Sequence, residues 1–187
     1  MQGLMGIAIG IGILQRNVDI LLNATGGLVV TVIPAVLERD HRIPLDTRLS
    51  LWLTMAVFLH VVGAVGIPGV PGNFYSDIWW WDHLTHAASA SLVAGIGYVV
   101  LRAIDEHSES VMLPKKLTFI FTLLFVLAFG VYWEIFEFAV GHIKISGESA
   151  LTQYGVEDSL EDLAFDAIGG LIAATLGEIH LVGTDDA

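Results

Sequence analysis

LTFIFTLLFVLAFGVYWEIFEFAVG, residues 117–141, runs from Leu117 to Trp133 without one charged side chain. An α-helix crosses a bilayer core about 30 Å thick with roughly 20 predominantly apolar residues. This stretch has that length, and in water so large an apolar face would have to be covered. At its far end stand Glu134 and Glu137, three residues apart and therefore on one helix face. The segment predicts a membrane-spanning helix that carries two acids near one surface of the bilayer.

Four more segments satisfy the same criterion, at residues 18–37, 45–66, 79–103 and 158–182. Residues 3–14 are apolar and glycine-rich but too short for a straight crossing, so they read as a sixth span or a half-inserted segment. Pro44, Pro68, Pro71 and Pro114 fall between spans, where a missing N–H does least damage. Pro34 lies inside the 18–37 segment and predicts a kink, which membrane helices tolerate. With no internal repeat and no long linker, residues 1–187 form one domain. The predicted fold class is all-α, a polytopic transmembrane helix bundle of five to six spans.

Composition supports this reading and excludes other classes. Hydrophobic residues make up 55% of the chain, and cysteine is absent, which removes disulfides and thiolate metal sites. A net charge of −12 argues against nucleic acid and anionic headgroups as partners, and acidic loops of this kind suit a high-salt organism. The first residues carry no basic region ahead of an apolar run, so no cleaved signal peptide is expected. The basic residues Arg39, Arg42 and Arg48 surround one loop, and Arg102, Lys115 and Lys116 flank another; Arg16 and Lys144 stand on the other side. The positive-inside rule places the two richer loops and the C-terminus in the cytoplasm. The run Trp79-Trp80-Trp81 then marks the outer interface of a multi-pass cell-membrane protein.

Orientation brings three motifs to one leaflet. Asp82-His83-Leu84-Thr85-His86 opens an inward span, Glu134 and Glu137 close an outward one, and Asp158, Asp162 and Asp166 open the last. Asp82 and His86 are four apart on one helix face, and the three aspartates form a stripe at the same spacing. His60 stands near the outer end of its own span. An ionised side chain deep in a bilayer costs on the order of 3 kcal/mol on insertion scales. So many acids require shared protons, an aqueous cleft or a bound cation.

Imidazole beside carboxylate suits Zn, Mn or Fe, and carboxylates alone suit Mg or Ca. The expected cofactor is therefore a divalent metal ion, held by Asp82, His86, Glu134 and His83. Asp162, Asp166 and Glu137 are the candidate catalytic carboxylates, and His60 and Asp158 are candidate binding residues. Taken singly, Asp158 also fits a helix-capping role beside the N-terminal dipole. Gly95, Gly97, Gly169, Gly170 and Gly177 read as small residues for close helix contacts. The chain has no nucleophile elbow, phosphate-binding glycine loop or H-E-x-x-H motif.

From Phe58 to Gly170 the sequence resembles the YjdF-type inner-membrane proteins, a family with a domain of unknown function. The resemblance rests on Phe58-Leu59-His60-Val61-Val62-Gly63-Ala64, on Trp81-Asp82 with His86, on Glu134, Glu137 and Phe138, and on Asp158 and Asp162 before Gly169-Gly170. This chain has His83 where that pattern has a basic residue after the first aspartate. A weaker similarity links the aspartate–histidine and closing aspartate motifs to VanZ-like membrane proteins. The resemblance implies a helical membrane fold and marks these polar residues, and it implies no reaction.

Three functions are open at the level of sequence. One is a metal-dependent membrane hydrolase or transferase acting on a membrane lipid or lipid-linked substrate. A second is a proton or cation transporter or channel using the same residues, although the inner halves of the spans are nearly apolar. The third is a structural membrane protein whose polar residues link helices.

Overall fold

The computed structural model describes residues 1–41, 47–108, 110–142, 144–145, 148–149 and 155–182. Pro44 and Arg42 lie outside the described residues. Among the described residues there are seven helices: α1 (Gln2–Gln15), α2 (Val18–His41), α3 (Thr47–Val65), α4 (Phe74–Asp77), α5 (Trp81–His107), α6 (Lys115–Gly141) and α7 (Val156–Val182). A two-residue antiparallel pairing of β1 (Lys144–Ile145) with β2 (Glu148–Ser149) stands between α6 and α7. The all-α class expected from the sequence is therefore observed. By length and composition α3, α5 and α6 suffice to cross a membrane, and α1 is a shorter apolar helix.

The chain divides into two compact units. The first comprises Met1–Thr85 and Glu137–Thr152; the second comprises His86–Phe136 and Gln153–Ala187.

In the first unit, α1 and α2 form a hairpin around a two-residue turn. Arg16 adopts a left-handed conformation (φ 53°) and ends α1. The Asn17 side chain then accepts the Ile20 N–H at 3.1 Å and opens α2. Met5 of α1 meets the Thr31 hydroxyl of α2 at 3.8 Å, and Gly12 packs on Leu21, so the two helices run antiparallel. Gly27 admits Val57 of α3, and Ala8, Ala24 and Val61 form the shared core. Gly66, in a left-handed conformation (φ 61°), terminates α3. After the turns at Gly69 and Gly72, Asn73 and Ser76 cap α4 reciprocally, with Ser76 N–H donating to Asn73 Oδ1 at 2.9 Å.

The second unit packs α5, α6 and α7 around small residues. Ala90 and Ala94 of α5 meet Val126 of α6, with Val93 and Ala173 against them. Gly169 of α7 lies directly on the Ala87 carbonyl of α5, Gly170 contacts Val126, and Gly97 receives Phe125. These glycines allow the close helix contacts expected of them. Gly95 does not, because a β-carbon there would meet nothing within 4 Å.

Large apolar side chains such as Leu124, Phe129, Phe136, Leu171 and Ile172 are exposed, while Thr118, Thr122, His86, Glu134, Asp162 and Asp166 are buried. That inversion of the water-soluble pattern is what a bundle in lipid requires, since hydrocarbon solvates the apolar faces and polar groups turn inward.

Candidate metal centre

The centre in the second unit starts from helix periodicity. On α6, Thr118, Thr122, Val126, Gly130 and Glu134 are the buried positions, spaced four apart, so Glu134 ends the inward stripe of an otherwise apolar helix. On α7 the same spacing turns Asp162 and Asp166 inward, at 2% and 6% exposure, while Asp158 is half-buried in the first turn. On α5, His86 points into the same space and is 5% exposed.

His86 joins the three acids. Its Nδ1 lies 3.3 Å from Asp166 Oδ1, and its Nε2 lies 3.8 Å from Asp162 Oδ2. A ring nitrogen of His86 and a carboxylate oxygen of Glu134 are within 4.8 Å. Both carboxylate oxygens of Glu134 are buried and accept no hydrogen bond among the described residues. Gly130, one turn before Glu134, leaves room for the Asp166 carboxylate and for Leu163.

The electrostatics are one-sided. Glu134, Asp162 and Asp166 face one imidazole, so even a protonated His86 leaves an excess of negative charge. Lys115 and Lys116 begin α6, 18 residues and about 27 Å along the helix from Glu134. Arg102, near the far end of α5, pairs with Asp105 and Glu106 at 3.4 and 2.9 Å. Burying an unpaired carboxylate is among the larger single penalties in protein structure. An imidazole with several carboxylates is also the donor set that binds borderline and hard divalent cations.

The remaining sequence candidates belong to the first unit, in local settings of their own. His83 lies edge-on to Trp79, with ring centroids 6.3 Å apart. Of the three consecutive tryptophans, Trp79 is 82% exposed, whereas the Trp81 indole nitrogen is buried against Gly63 beside Tyr75. His60 Nδ1 is 2.7 Å from the Tyr75 hydroxyl. Burial raises the Tyr75 phenol well above its ordinary range; the hydrogen bond with Thr85 opposes this, and the charges of Asp82, Asp19 and Glu137 add to it.

Two residues of this unit escaped the sequence reading. Asp19 accepts the Asn23 amide at 2.9 Å on α2. Asp19 carried one available signal, an acid inside an apolar segment, but at a helix start that is also where a dipole-stabilising acid sits. Tyr75 lies in a connection read only as a loop, and the cue that could have found it was the capping pair Asn73 and Ser76, which predicts α4.

Comparison with known proteins gives one curated relative, an uncharacterized protein of Thermotoga maritima, 32% identical over 136 residues. The alignment covers 73% of this chain and 65% of that protein, so this chain spans just under two thirds of the relative it matches. No solved structure matches. A family model described as "Predicted membrane protein (DUF2238)" matches residues 1–183, and the chain belongs to that family of membrane proteins.

Proposed function

We propose that this protein binds a divalent cation at His86 and Glu134 and acts as a metal-dependent membrane hydrolase or transferase on a lipid or lipid-linked substrate. The observation that carries the reading is Glu134, 7% exposed with no hydrogen bond to either carboxylate oxygen among the described residues. A carboxylate kept in that state needs a positive species to coordinate. His86 supports it further. An imidazole that donates one N–H to a carboxylate presents its other nitrogen as a ligand. Asp166 on Nδ1 orients the ring in this way and leaves Nε2 on the side of Asp162.

When bound, the cation polarises a phosphoryl or acyl oxygen or activates water. Asp162 and Asp166 can hold a proton beside it, which fits general base work. The lipid class follows from location, because the centre lies at one end of apolar spans and the positive-inside rule assigns that end to the outer leaflet.

The transporter reading has less support. Beneath the centre Ala90, Ala94 and Val126 close together as an apolar core. Elemental analysis of detergent-purified protein tests the proposal. A stoichiometric divalent metal in wild type, lost in His86→Ala, is expected. Active wild type without metal would end it.

A further inference from the structure

The second unit keeps its acids and its basic side chains at opposite ends. Its Lys and Arg residues are Arg102, Lys115 and Lys116. Arg102 stands 16 residues and about 24 Å along α5 from His86, and the two lysines begin α6, about 27 Å from Glu134. Neither group can reach a ligand at the centre. The centre's own end holds Glu134, Asp162 and Asp166, and α7 adds Glu157, Asp158 and Glu161 within its first two turns. A divalent cation does not reverse this balance, because Glu134, Asp162 and Asp166, when ionised, outnumber its two charges. The first N–H groups of a helix would attract an anion, but the first turn of α7 already carries Glu157 and Asp158. This end of the unit therefore repels a phosphate and attracts a positive charge.

Two sets of acids are separated on α7. Asp162 and Asp166 are buried and face His86, whereas Glu157 and Glu161, four apart on another face, are exposed. Val156 and Leu160, 78% and 62% exposed, stand beside them at the same spacing. An acidic strip thus borders an apolar strip within a turn of the buried acids. Alone, it would be an ordinary solvated helix end. Glu134 sets it apart: it is nine-tenths buried, accepts no hydrogen bond among the described residues, and has a carboxylate oxygen within 4.8 Å of a His86 ring nitrogen. The interior behind the strip is built to receive a ligand.

We propose that the substrate of this centre is a lipid with a positively charged amine headgroup and no phosphate, its ammonium held by Glu157 and Glu161 and its chain lying along Val156 and Leu160. As a statement about substrate the inference rests on the cation-centre reading above, while the amine binding itself stands on the α7 strip.

Spin-label measurement of lipid association tests this, with the full-length protein reconstituted in phosphatidylcholine vesicles and loaded with Mn2+. Nitroxide-labelled amine, alcohol and phosphate of one chain length are compared. The amine should associate about 10-fold more strongly than the alcohol, and the phosphate more weakly than the alcohol. In the double variant Glu157→Gln/Glu161→Gln the amine should fall to within about 3-fold of the alcohol, with Mn2+ stoichiometry unchanged. Phosphate association equal to or above that of the amine overturns the proposal. An amine preference undiminished in the double variant overturns it too, because the preference then lies elsewhere on this acidic chain. Wild type that takes up no Mn2+ but loses its amine preference in the double variant ends the cation-centre reading and supports the amine site alone.

Discussion

At the scale of the residue, Glu134 is the point where stability and function oppose each other. Its carboxylate accepts no hydrogen bond among the described residues, and a charged group buried in that way costs more than the 1–3 kcal/mol of a buried neutral group left unsatisfied. Glu134→Gln keeps the shape and removes the charge. In the presence of a chelator the variant should therefore unfold at a higher temperature than wild type, by the equivalent of about 1 kcal/mol or more. With Mn2+ added the order should reverse, because ligand binding stabilises only the protein that retains the site. Thermal unfolding in detergent with and without metal checks the crossing of the two curves. A variant less stable than wild type under both conditions would mean that Glu134 already has a compensating partner.

At the scale of the element, the helices were largely legible from residue pattern. The apolar run at 117–141 became α6 over Lys115–Gly141, and the segments 18–37, 45–66, 79–103 and 158–182 became α2, α3, α5 and α7 with ends shifted by a few residues. Hydrocarbon imposes this legibility, since a spanning segment must satisfy its backbone internally and is long and apolar for that reason. The approach of Asp162 and Asp166 to His86 was legible only in part, because spacing places residues on a helix face without saying what that face meets. Tyr75 was illegible for a related reason: its surroundings include His60, 15 residues before it, and Gly63, 12 residues before it.

The packing glycines yield a prediction at this scale. Gly169 meets backbone, the Ala87 carbonyl, whereas Gly130 meets the far end of the Asp166 carboxylate and a Leu163 methyl. Gly169→Ala must push α5 and α7 apart, a cost of about 1–3 kcal/mol for overpacking that side-chain rotation cannot relieve. Gly130→Ala can be relieved by turning Asp166 away, which removes its hold on His86 Nδ1. Gly169→Ala should therefore lower thermal stability, while Gly130→Ala should weaken Mn2+ affinity with a smaller change in stability. Parallel melting and metal titration separate the two, and equal loss of both properties in both variants would contradict the distinction.

At the scale of the whole molecule, the lipid-substrate reading depends on which surface of the membrane the centre faces. Helix α5 has 27 residues and is about 40 Å long, enough to cross the hydrocarbon core with both ends in the interfaces. His86 lies near its start, and Arg102 near its end. Lys115 and Lys116 follow across the short connection after α5, so the positive-inside rule assigns that connection to the cytoplasm and the 66–80 connection to the outside. The chain has no cysteine, which makes single-cysteine labelling clean. Val70, 56% exposed before α5, and Met112, 88% exposed after it, are suitable positions. In intact cells a membrane-impermeant maleimide should label Val70→Cys and should reach Met112→Cys only after permeabilisation. The reverse pattern would turn the centre toward the cytoplasm and replace an outer-leaflet substrate with one presented from inside the cell.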